Sequence, residues 1–178
     1  MTEEAESMNC KTSEIVTIAN RLIADHCTRD THILASELNV EVLERPFRRQ
    51  RGAYQIILDC PFVFLKSDLH PVMKQIVLGH ELGHHVLHRE IAEQRGGFQE
   101  FHIFDMRSDR MEYEANVFAS QLMLPDEDVL EHIGNGLDIQ QIAAAMDSDI
   151  NLVALKVDTL ISQGYLLRRQ EHRSDFLK

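Results

Sequence analysis

The stretch Met73-Lys-Gln-Ile-Val-Leu-Gly-His-Glu-Leu-Gly-His-His-Val-Leu-His88 holds two histidines, His80 and His84, four residues apart, with Glu81 beside the first. A helix turns about 100° per residue, so such a pair lies one above the other on one face, where two imidazoles can grip one ion. Glu81 projects next to them and can take a proton from water, the arrangement of a helical zinc protease site. Ile76, Val77, Leu78, Leu82, Val86 and Leu87 supply the apolar surface of a buried helix, which puts both histidines inside the protein body. The plainer reading is a pair of hydrogen-bonded helix histidines with a solvated carboxylate. Metal spacing on an otherwise apolar helix favours the metal site. His85 is rotated away from the pair and is expected to cap or pack. His88 returns toward the ligand face, but about 12 Å along the axis from His80, which makes it a poor third ligand.

The chain has 178 residues, 44% apolar and 26% charged, the make-up of an ordinary soluble globular protein with one domain or one domain and a small appendage. No apolar run approaches the length needed to span a bilayer, and residues 1–9 are acidic where a signal peptide would be basic and then apolar. A cytoplasmic protein without membrane partners is the expectation. Cys10, Cys27 and Cys60 are odd in number and lack close paired spacing, which argues against a disulfide framework and against a cysteine zinc site. The formal net charge of −11 disfavours general affinity for nucleic acid or anionic membrane.

Upstream of the histidines, residues 1–11 read as a polar, frayed end, and Ile15, Ile18, Ala19, Leu22 and Ile23 recur at helical intervals over Ser13 to Cys27. A short helix is predicted over Asp30 to Leu38, with Asp30 or Thr31 as its cap and Asn39 ending it. Three β-prone runs follow, Val40 to Leu43, Ala53 to Leu58 and Phe62 to Leu65, divided by Pro46 with a basic loop and then by Asp59-Cys60-Pro61. They predict a small antiparallel or mixed sheet ahead of the histidine helix. Arg48, Arg49 and Arg51 in that loop could hold an acidic substrate segment, but read better as a solvated surface. The histidine helix is predicted to run from Pro71 to His88 or Arg89, and residues 90–107 to form a polar connection with Gly96-Gly97 and a Phe98, Phe101, His102, Phe104 cluster. A further helix over Ser108 to Leu124, stopped by Pro125, carries the stripe Met111, Ala115, Phe118, Ala119, Leu122, flanked by Glu112 and Asn116 on one side and Glu114 on the other. It can lie back against the histidine helix and offer a carboxylate.

Gly52-Ala-Tyr54, Val77-Leu-Gly-His-Glu-Leu-Gly-His-His-Val-Leu-His88 and Glu112-Tyr-Glu-Ala-Asn-Val-Phe-Ala-Ser-Gln-Leu-Met-Leu-Pro125 together resemble the ImmA/IrrE family of zinc metallopeptidases, over roughly residues 12 to 165. Leu-Met-Leu-Pro stands where the family more often has Leu-Leu-Met-Pro, a swap that conserves volume. The resemblance implies Zn²⁺ held by His80, His84 and Glu112, with Glu81 as the catalytic carboxylate. It also implies a protein substrate, a phage-type helix-turn-helix repressor whose cleavage derepresses mobile-element or stress-response genes. The residues themselves favour Glu112 over Glu114. Ala115 and Ala119 on its side let the two helices approach, and Asn116 one turn on can accept the free ring N–H of a liganding histidine. Tyr54, His102 and Arg107 are candidates for steadying an oxyanion.

Beyond Pro125, helical patterns run over Glu127 to Ile133, Ile139 to Met146 and Asn151 to Gln163, and the last two look like a helix-turn-helix. The second of them offers only Lys156 as a cation, set against Asp158, with Asp147 and Asp149 at its mouth. Arg168, Arg169 and Arg173 are interleaved with Glu171 and Asp175. A recognition helix needs residues that reach bases and phosphates, so direct DNA binding is disfavoured and a packing or docking role is expected. A peptidase-like sensory module without turnover is the other alternative. The sequence thus predicts an α+β, zincin-like core over residues 1–124, with a small sheet, a metal helix and a second ligand helix. A C-terminal, helix-turn-helix-like lobe over 125–178 packs on it. The predicted activity is that of a zinc endopeptidase.

Overall fold

A computed structural model describes the backbone of residues 3–100 and 110–167 and the side chains of 11–98 and 110–167. The order is α1 (Glu3–His26), α2 (Thr31–Glu37), β1 (Glu41–Arg45), β2 (Gly52–Ile57), β3 (Cys60–Lys66), α3 (Pro71–Arg95), β4 (Phe98–Glu100), α4 (Arg110–Met123), α5 (Asp126–Gly134), α6 (Ile139–Ala145) and α7 (Ile150–Ser162). This is the expected α+β architecture of a small sheet, two long crossing helices and a C-terminal group of helices. No helix among the described residues is long and apolar enough to cross a membrane.

The sheet is mixed, in the order β1-β3-β2-β4, with β1 parallel to β3 and the other pairs antiparallel. Along β3 burial alternates, Pro61, Val63 and Leu65 pointing into the core while Phe62 and Phe64 stack on the outer face with their centroids 5.9 Å apart. The expected divider Asp59-Cys60-Pro61 is shorter than predicted. Leu58 and Asp59, both at positive φ (51° and 64°), make the whole β2–β3 turn, and Cys60 and Pro61 already belong to β3. Pro61 is tolerated there because the pairing of β3 with β1 begins one residue later, at Phe62.

Two helices run longer than their sequence patterns. Helix α1 begins at Glu3, where a frayed end was expected, because Glu, Ala and Met in this stretch are good helix formers even without an apolar stripe. Helix α3 passes through His88, whose backbone is non-helical (φ −128°, ψ 17°), and continues to Arg95 instead of giving way to a polar connection. Gly96, at φ 80°, caps it, and Gly97 (φ 112°) then approaches β2 so closely that a Cβ there would lie 2.4 Å from the Tyr54 carbonyl oxygen. Gly-Gly thus turns the chain from α3 directly into the edge strand β4.

Helix α4 is the central element, packed against α3, α1 and α7. Contact on three sides explains why every residue from Ala115 to Leu122 is buried, where the periodicity predicted a single stripe. Ile15, Val16 and Ala19 of α1, Leu78 and Leu82 of α3, Phe118 and Leu122 of α4 and Leu152, Val153 and Leu160 of α7 share one apolar core. Arg29, in the α1–α2 loop, donates to the carbonyls of Gln121 and Leu122 at 2.8 and 3.0 Å and so closes the C-terminal end of α4.

Candidate metal centre

Helix α3 carries His80, Glu81 and His84 into the interior, each no more than 1% exposed. Helix α4 crosses it through small residues on both sides. A Cβ on Gly83 would stand 3.0 Å from Ala115 Cα, and one on Gly79 would stand 3.7 Å from Ala119 Cβ, so the helices meet nearly backbone to backbone. Three residues before Ala115, Glu112 then reaches the histidines: Oε2 is 3.1 Å from His80 Nε2 and Oε1 is 3.4 Å from His84 Nε2. The imidazoles meet edge to face, their Nε2 atoms 3.1 Å apart, and the ligand atoms of His80, His84 and Glu112 all lie within 4.8 Å of one another.

The protonation of this group suits a cation. Asn116 Oδ1 lies 3.0 Å from His80 Nδ1, so that nitrogen donates and Nε2 keeps its lone pair toward the site. Burial drives the His84 pKa down to about 4, leaving the ring neutral at pH 7. Burial pushes the Glu112 carboxyl up, but the hydrogen bonds and charges of His80 and His84 outweigh it and hold it well below the usual carboxylate range. Imidazole lone pairs and a carboxylate converging in a buried place repel one another unless a positive charge sits among them. Two nitrogens and one oxygen are a donor set that suits zinc.

Strand β2 lies beside α3 in matching register. Two residues of strand and four of helix both advance about 6 to 7 Å, so Gly52 meets Glu81 while Tyr54 meets His85. A Cβ on Gly52 would come within 2.5 Å of Glu81 Oε1 and of Val77 Cγ1, so only glycine leaves room for the Glu81 carboxylate. Burial raises the Tyr54 pKa to about 12 and lowers that of His85 to about 4. The phenol therefore stays protonated and the His85 ring neutral at pH 7, hydrogen-bonded through the Tyr54 hydroxyl and His85 Nδ1, 2.9 Å apart.

The family model of peptidase M78, described as the IrrE N-terminal-like domain, matches residues 35–155, more than half of the chain. The chain belongs to this family. A curated protein of Bacillus phage phi105, "Uncharacterized immunity region protein 2", is 29% identical over 137 residues, which cover 76% of this chain and 84% of that protein. "Metallopeptidase ImmA" of Bacillus subtilis (strain 168) is 27% identical over 128 residues, covering 69% of this chain and 72% of that one. The part that matches the M78 model begins within α2 and ends within α7, so it takes in the sheet and every residue of the candidate centre.

Within this M78 chain the structure brings His80, His84 and Glu112 together and sets Glu81 beside them, while Glu114 turns to His88, with Oε2 3.0 Å from its Nε2. His85 packs on Tyr54, so the Tyr54 hydroxyl offered above for an oxyanion is engaged by that ring. His102, Arg107, Phe101, Phe104 and the arginines 168, 169 and 173 lie outside the described residues. Phe98 stacks on the His84 ring, centroids 4.2 Å apart at 12°. A depression of about 510 Å³ lined by Arg49, Arg51, Lys66, His70 and Met73 takes in none of the candidate ligands. Lys156, the one cation of the presumed recognition helix, is fully buried and bonded to Gln121 and Asp126, so it faces the core. Sequence reasoning missed the glycines Gly79 and Gly83 as the other half of the helix crossing, and it missed the pairing of His88 with Glu114. The small-xxx-small spacing of Gly79 and Gly83 was the signal available for the first.

Proposed function

We propose that this protein is a zinc-dependent endopeptidase acting in the cytoplasm on a helix-turn-helix repressor, and so derepressing mobile-element or stress-response genes. The reading is carried by one observation, the convergence of His80 Nε2, His84 Nε2 and the Glu112 carboxylate beside the buried Glu81. His80, His84 and Glu112 would hold the ion. When bound, zinc supplies Lewis acidity that polarises a scissile carbonyl and makes water more acidic. Glu81 takes the proton from the attacking water and delivers it to the leaving amine, and Gly52 on β2 leaves room for its carboxylate. The names of the two relatives, an immunity region protein and a metallopeptidase, support a protein substrate. DNA binding is disfavoured because Lys156 is in the core.

Purified, zinc-loaded protein is incubated with candidate helix-turn-helix repressors, beginning with any encoded beside its own gene, and the products are read by mass spectrometry. Wild type is expected to cut one of them at a defined bond. The Glu81→Gln variant is expected to keep its zinc and lose turnover by about 10²-fold or more. Repressors all left intact by zinc-loaded wild type, in the tube and on co-expression, would falsify the substrate assignment. Equal rates for wild type and Glu81→Gln would sink the mechanism.

A further inference from the structure

His88 sits where α3 leaves helical geometry, and both nitrogens of its buried ring are engaged. Nε2 lies 3.0 Å from Glu114 Oε2, and Nδ1 lies 3.1 Å from the Nδ1 of His84. Glu114 Oε1 in turn accepts from Arg110 Nε at 2.8 Å. A carboxylate can only accept, so the proton in the first contact belongs to His88 Nε2. A cation at His84 Nε2 takes that atom's lone pair, which leaves the hydrogen of the His84 ring on Nδ1, facing a lone pair on His88 Nδ1. The contact between the two δ nitrogens then holds one proton, which His84 supplies, and His84 Nε2 presents its lone pair toward His80 and Glu112.

We infer that Arg110, Glu114 and His88 form a relay of ordered hydrogen bonds that fixes the tautomer of His84 and keeps its Nε2 open to a cation. This rests on the reading of His80, His84 and Glu112 as the metal-holding group. His88 and Glu114 are positioning residues: they act through His84, as Asn116 acts through His80. An imidazole left to itself can put its proton on either nitrogen, and the Nε2–H form cannot bind metal at Nε2. Each liganding histidine thus has its outer nitrogen tied to a partner, one on α4 directly and one through His88 to α4. Phe98, stacked on the His84 ring, leaves that ring little room to tilt out of line.

The test uses the full chain. Long-range ¹H–¹⁵N correlation on the metal-free protein at neutral pH is expected to show His84 with a protonated Nδ1 and a bare Nε2. The His88→Leu variant should lose that pattern to a mixed or reversed one, and His88→Gln, whose side-chain oxygen can accept from His84 Nδ1, should restore it. In competition with a chelator for zinc, His88→Leu is expected to bind about 10- to 100-fold more weakly, with Glu114→Ala toward the lower end and His88→Gln recovering most of the loss. Glu114→Ala, near the start of α4, carries the test should His88→Leu fail to fold. Zinc affinity and His84 tautomer unchanged from wild type in His88→Leu, or in Glu114→Ala where His88→Leu does not fold, overturn the relay. Wild type that takes up no zinc overturns the metal reading instead, and the metal-free spectra still decide the relay.

Discussion

Asn116 Oδ1 stands 3.0 Å from His80 Nδ1 inside the α3–α4 crossing, so the helix that carries Glu112 also selects which nitrogen of His80 faces the site. Removing that acceptor frees the ring to reverse its tautomer. Asn116→Ala is expected to weaken zinc binding about 10- to 100-fold, and Asn116→Asp, which keeps an acceptor, to weaken it less. Competition titration against a chromophoric chelator ranks the two, and an Asn116→Ala variant that binds like wild type would refute the assigned role.

The approach of the two helices depends on Gly83. A methyl there would stand 3.0 Å from Ala115 Cα and 3.1 Å from its carbonyl oxygen, backbone atoms that move only if α4 moves. Gly83→Ala is expected to lose about 1–3 kcal/mol of stability by overpacking, read as a lower urea midpoint. Because Glu112 rides on α4, zinc affinity should fall along with it. A variant with reduced stability and wild-type affinity would show that Glu112 reaches the site without the close crossing.

Gly52→Ala probes the Glu81 carboxylate and its neighbour Val77. The added methyl would come within 2.5 Å of both Glu81 Oε1 and Val77 Cγ1, so both side chains must shift. Turnover is expected to drop by about 10²-fold with zinc content unchanged. Metal analysis beside a cleavage assay separates this from a Gly83→Ala effect, in which both fall.

The buried Lys156 sits among Asp126 and Gln121, and Gln121 also donates to Asn20 Oδ1 at 2.8 Å, tying α7 to α5, α4 and α1. Asp126→Asn takes the counter-charge from Lys156 and is expected to cost about 1–3 kcal/mol at pH 7. Burial raises the Asp126 pKa, but Lys156 outweighs it and brings the folded-state value below 3.8. The depressed carboxyl stabilises the fold fully above 3.8, and that stability is lost as pH falls through the folded-state pKa. The gap between wild type and Asp126→Asn should therefore be widest near neutrality and shrink below pH 3.8, as thermal unfolding from pH 7 to pH 3 can measure.

The part of this protein legible in its sequence is the part set by local geometry. The four-residue spacing of His80 and His84 puts both rings on one face of any helix, and Asp30 caps α2 through contacts with residues two and three further on. The meeting of Glu112 with His80 and His84 was legible because Ala115 and Ala119 show which face of α4 can come close. Other features depended on groups far apart in the chain. His88 looked idle from its axial distance to His80, and Glu114 looked like a spectator, yet the break in α3 and the crossing of α4 put them 3.0 Å apart with His84 at the other end of the ring. Lys156 read only as the lone cation of a helix-turn-helix-like pair, and its partners came into view where α4 and α5 close around it with Gln121 and Asp126. Helical period dictates which side chains share a face. Which partners meet that face depends on where helices cross and strands lie alongside, and in this chain those crossings are governed by the small residues Gly52, Gly79, Gly83 and Ala115.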